Sequence, residues 1–150
     1  MDKASQNIGR LQGITQQLRA TQFYAARKHI VLPFDLIKYH KVNIRDLMVH
    51  PSNQGRDLVT NEEIENLVFD IASRAVGYVT LTRSQFKLHP KNPNAQEIKR
   101  LFCVNISPSE AWLKNLENEK FDIFSKNLNV RNDKLVYETY RRMFRSEQGY

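Results

Sequence analysis

The chain has 150 residues, 41% hydrophobic and 26% charged, with a formal net charge of +7. That is enough for one domain burying roughly 70% of its unfolded surface, and too apolar for a disordered tail. No run approaches the roughly 18 apolar residues of a membrane span, and a single cysteine, Cys103, excludes an intramolecular disulfide or a cysteine-based metal knuckle.

Five glycines and five prolines, with apolar residues recurring at helical spacing, predict an all-α protein built as a single domain. The first six residues carry an acid at once and no apolar core, so they predict neither a secretory signal nor a transit peptide. A first helix is expected over residues 4–26. Its inward face should hold Ile8, Leu11, Ile14 or Thr15, Leu18, and Gln22 or Phe23. Arg27 and Lys28 suit its C-terminus, and Pro33 closes the break that follows.

Residues 34–40 and 44–49 read as two short helical pieces, and residues 51–55 as a surface loop. Thr60-Asn61-Glu62-Glu63 is a capping box opening a long helix over residues 61–86, with Ile64, Leu67, Val68, Ile71, Ala75 and Val79 as its apolar stripe. Asp70 and Arg74 on that helix are spaced for an exposed ion pair. Residues 89–94 break the chain, and a shorter helix over residues 95–104 turns Ile98, Leu101 and Phe102 inward. Cys103, in this apolar stretch, reads as a buried, inert thiol.

Ser107-Pro108-Ser109-Glu110 is a second capping box, with proline at the first helical position, and predicts a new helix through about Leu116. Phe121-Asp122-Ile123-Phe124 falls in the next connection. Asn132 is placed to cap a last helix carrying Leu135, Val136, Tyr140, Met143 and Phe144.

No two of His29, His40, His50 and His89 stand three or four residues apart, so helical zinc ligation has no support and surface or loop positions are expected. Phosphate-loop, dinucleotide and nucleophile-elbow motifs are absent. Residues 1–50 hold eight Lys/Arg against three Asp/Glu. This bias admits a nucleic-acid-binding helical module, yet the cations form no continuous cluster, and a solvated basic face is the simpler reading.

The most specific segment runs from Gly13 to Pro33, with Gln16-Gln17-Leu18 leading into Arg27-Lys28-His29-Ile30-Val31-Leu32-Pro33. It resembles the second aspartate-rich helix of squalene and phytoene synthases, and Asp35-Leu36-Ile37 and Val42 continue the likeness. The resemblance implies the C-terminal half of an isoprenoid synthase-type helical fold. In that family, carboxylates at i and i+4 share a helix face and hold Mg²⁺ bridging to a prenyl diphosphate. The corresponding positions here are Ala20 and Tyr24, and Val31 stands where the family has tyrosine. Lys28 occupies a small, glycine-like position of the basic turn. The partner aspartate-rich helix of an N-terminal half is not expected within this chain.

Leu18-Arg19-Ala20-Thr21, Asp70-Ile71-Ala72-Ser73 with Ala75, and Phe121-Asp122-Ile123-Phe124 are similar to landmarks of a mitochondrial branch of this family, and extend the likeness over about residues 8–144. The branch serves in building respiratory complex I. The resemblance therefore implies a non-catalytic assembly factor, without cofactor or metal, on the matrix side of the inner membrane. It would bind complex I assembly intermediates or other assembly factors, with peripheral membrane contact and no nucleic acid. Phe121 and Phe124 are the candidate partner-binding residues, with core packing as their ordinary alternative. The competing reading is a prenyl-diphosphate transferase acting with a separate N-terminal half.

Overall fold

The computed structural model describes residues 2–48, 62–88, 95–130 and 134–145. All regular elements among them are helical: α1 (Asp2–Ala25), α2 (Phe34–Tyr39), α3 (Ile44–Met48), α4 (Glu62–Leu88), α5 (Ala95–Asn118), a 3₁₀ turn (Lys126–Asn129) and α6 (Leu135–Arg145). The capping residues Thr60 and Asn132, the loops at 51–55 and 89–94, and His50 and His89 lie outside the described residues.

Helix α1 buries Ala4, Ile8, Leu11, Thr15, Leu18 and Ala25, a spacing of three and four that keeps one seam against its neighbours. Helix α4 answers with Ile64, Leu67, Val68, Ile71, Ala75 and Val79, the stripe legible in the sequence. Leu11, Leu18, Leu67 and Leu116 are essentially sealed from solvent. Truncating any of them to alanine is expected to cost about 2–5 kcal/mol. Thr15, Thr21 and Thr82 are buried without loss, because each hydroxyl donates to the carbonyl four residues back.

Cross-contacts fix the helix directions. Gln12 reaches Asn105 and Gln22 reaches Ile123 and Ser125, so α1 and α5 run parallel. Arg83 pairs with Glu110 while Phe69 meets Phe121, so α4 runs antiparallel to α5. Arg10 lies over the Tyr78 ring, which sets α4 antiparallel to α1 as well.

Three helices end alike. At α1, Lys28 N–H donates to the Ala25 carbonyl and His29 N–H to that of Tyr24, both at 2.9 Å. The same crossed pair closes α2 at Lys41 and Val42, and α5 at Lys120 and Phe121. This is the Schellman arrangement, which demands a left-handed residue and favours glycine. Here lysine fills the position each time, with φ of 59° at Lys28, 56° at Lys41 and 54° at Lys120.

Several expectations are corrected. Residues 95–118 form one helix, not two, with Pro108 inside it. The second capping box opens no helix, and the Glu110 carboxylate accepts from Arg83 Nη2 at 2.7 Å. Burial of Ile106, Ser109, Leu113 and Leu116 along a continuous face holds the helix through the proline. Leu101 points outward, 65% exposed, and Cys103 is half-buried rather than buried. Phe23 is exposed, and Gln22 takes the inward position beside it. On α6, Val136 and Tyr140 face solvent, whereas Leu135 is half-buried. Asp70 does not pair with Arg74; its carboxylate lies against His40, so that histidine is a half-buried structural partner and not a free surface group.

Candidate functional site

The sequence-predicted residues converge on one end of the bundle. The C-terminal turns of α1 and α5, the start of α4 and helix α2 all meet there. Gln22 makes the junction: its side-chain amide donates to the carbonyls of Ile123 and Ser125, the latter at 3.3 Å. The α1 motif and the Phe121–Phe124 stretch, a hundred residues apart in sequence, are therefore direct neighbours.

Ala20 and Tyr24 stand one turn apart on a flank of α1, away from the seam that packs on α4 and α5. Ala20 is half-buried and offers no ligand atom, while Tyr24 is exposed and stacks edge-on with Phe23 at 5.4 Å. The Arg27 guanidinium lies 3.5 Å from the centroid of the Phe23 ring. Val31 is half-buried, and its carbonyl receives the Gln17 side-chain amide, which folds the basic turn back along α1.

The Phe121–Phe124 connection is rigidly held. Lys120 and Phe121 are both left-handed, the latter at φ 64°, which reverses the chain at the end of α5. Phe121 then packs edge-on to Phe69 at 5.0 Å. Asp122 Oδ1 accepts from the Phe124 N–H at 2.9 Å, and Ile123 plugs the core. Glu119 binds the far side, accepting from Ser125 Oγ at 2.6 Å and from the Asn127 amide at 3.1 Å. Phe121 and Phe124 are both half-buried and rest against the core, each keeping part of its ring available. Burial pushes the Asp122 carboxyl up, with Glu65 and Glu119 adding repulsion against the lowering effect of the Phe124 N–H.

Phe121 also borders a groove of about 940 Å³ between α4, α5 and α6. Its floor carries Val76, Val79 and Leu113, and the Arg83–Glu110 pair closes its other end. This groove was not anticipated by any pattern in the sequence, since its lining comes from three separate helices. Among the described residues, no three His, Cys, Asp or Glu side chains form a metal-holding group. Among them, too, no helix is long and apolar enough to cross a membrane.

Among the described residues the assembly is all-helical, and its Gln-Leu helix leads into a basic turn as expected of a squalene/phytoene synthase-type chain. Residues 1–134 match the squalene/phytoene synthase family, and the chain belongs to it. Its relatives include proteins of Rattus norvegicus (31% identical), Mus musculus (31%) and Homo sapiens (30%), each aligned over 144 residues. All three are described as NADH dehydrogenase (ubiquinone) complex I, assembly factor 6. The alignments cover 96% of this chain and 39% of each relative, so the chain spans about two fifths of their length. No solved structure matches it.

Proposed function

We propose that this chain is the C-terminal part of a non-catalytic assembly factor for mitochondrial respiratory complex I. It acts on the matrix side of the inner membrane by binding assembly intermediates. The observation that carries this reading is the union of a family framework, shared with relatives named as complex I assembly factors, and a donor set that does not fit the family's metal. Alanine at 20 supplies no oxygen, and the neutral phenol of Tyr24 is a poor ligand for a hard dication that prefers carboxylates and water. Magnesium does not fit these two positions, and no reaction step is assigned to them.

Binding then falls to the end of the bundle where Phe121 and Phe124, half-buried against the core, sit on a hydrogen-bonded turn. Half-buried rings on a preorganised connection lose little freedom on docking, which is what an interaction surface needs. The test uses the tagged full-length gene product in mitochondria. It should comigrate with complex I assembly intermediates on two-dimensional native gels, and a Phe121→Ala/Phe124→Ala version that a thermal melt shows to be folded should be released from them. The purified protein should also form no Mg²⁺-dependent product from farnesyl diphosphate. Condensation product above a protein-free control would overturn the non-catalytic reading.

A further inference from the structure

We propose that residues 23–41 form a docking face for an anionic phospholipid bilayer. This deepens the inner-membrane reading above and rests on it only for the identity of the membrane.

Four aromatic rings on this stretch are exposed: Phe23 (55%), Tyr24 (39%), Phe34 (54%) and Tyr39 (75%). Interleaved with them are four exposed cations, Arg27, Lys28, Lys38 and Lys41, against one carboxylate, Asp35. Two of the cations lean over aromatic rings, Arg27 on Phe23 and Lys38 on Phe34 at 5.1 Å. The inward residues Ala25, Leu32, Ile37 and Val42 anchor the stretch to the core. The His40–Asp70 contact fastens α2 to α4 at the same end of the bundle as the last turn of α1. Rings that sit at headgroup depth, set among cations that attract acidic lipid, are the composition of an interfacial surface. Of the acidic groups near this end, Asp70 faces His40, Glu62, Glu63 and Glu65 lie in the first turn of α4, and Glu119 and Asp122 at the α5 exit, none of them on the 23–41 stretch itself.

Lys28 and Lys41 occupy left-handed positions that glycine would fill with less strain, as Lys120 does at the end of α5.

The test is cosedimentation of the full chain with phosphatidylcholine vesicles, with and without phosphatidylglycerol. Binding should require phosphatidylglycerol and weaken with salt. Lys28→Gly/Lys41→Gly should lower partitioning roughly thirtyfold, at about 1 kcal/mol per surface lysine, while raising Tm, a combination that misfolding does not produce. Phe34→Ser/Tyr39→Ser should also weaken binding, whereas Lys114→Gln/Lys134→Gln, equal in charge change but remote, should bind as wild type. Equal binding to neutral vesicles, equal loss in the remote pair, or wild-type binding by the glycine variant would overturn the proposal. So would preferential capture by single-stranded RNA that vesicles fail to displace. None of these outcomes involves complex I, so failure here would leave the assembly reading standing.

Discussion

His40 Nε2 lies 2.7 Å from Asp70 Oδ2, tying the end of the short helix α2 to the first half of α4 across thirty residues of sequence. A carboxylate that is ionised can only accept, so the bond calls for the imidazole tautomer with its hydrogen on Nε2. The histidine side chain is 14% exposed and the aspartate 40%, which places the bond between a surface pair and a buried one. A double-mutant cycle with His40→Ala and Asp70→Ala should return a coupling of about 0.5–1 kcal/mol. The same cycle with Asp70 and Arg74 should return none, since their expected pairing does not form.

The three lysine-capped helix ends are sites of stored strain. Replacing Lys28, Lys41 or Lys120 singly with glycine should stabilise the fold by about 0.5–1 kcal/mol each, part of the gain being offset by the freer unfolded chain. Thermal melts check this: each substitution should raise Tm by about 2–4 °C per kcal/mol, and a fall at any site would contradict the left-handed assignment there.

Asp122 is predicted to cost stability at neutral pH. Its native value is raised above the ordinary 3.8, so over the interval between the two values the native state binds a proton that the unfolded state does not. The penalty is complete above the native value and disappears as pH falls below the ordinary one. Asp122→Asn keeps an acceptor for the Phe124 N–H and removes the repulsion from Glu65 and Glu119. It should melt higher than wild type at pH 7, and the two curves should converge on acidification; a constant difference across pH would contradict this origin.

Pro108 interrupts the backbone ladder of α5 because it has no N–H to offer the Val104 carbonyl. Pro108→Ala should restore that bond on an exposed position and stabilise the protein by about 1–3 kcal/mol. Urea titration provides the measurement, with a higher midpoint at unchanged slope as the expected result.

Periodicity made the α1 seam and the α4 stripe legible, because each helix buries one face and Leu18 or Leu67 cannot be placed elsewhere. It failed where tertiary contacts overrode a local rule. The Ser107–Glu110 box is a sound start signal, but the buried face of α5 runs through the proline and Glu110 pairs with Arg83. Leu101 and Val136 obey helical spacing yet face solvent, since spacing fixes relative faces and not which neighbour covers them. The junction at Gln22 was illegible for the same reason: a glutamine bonding to carbonyls a hundred residues away leaves no trace in pattern. Its consequence, bringing Tyr24 and Val31 to the same end of the bundle as Phe121 and Phe124, emerges only from the fold.

The proposal that this protein acts by binding in the assembly of complex I is put to the test by depleting the gene product and measuring complex I on native gels. Complex I should fall and return on re-expression of the full-length wild-type protein. It should return equally with Tyr24→Phe, which deletes the one side-chain oxygen of the Ala20–Tyr24 pair. Normal complex I in depleted cells, or rescue abolished by Tyr24→Phe in a stably expressed protein, would contradict the account.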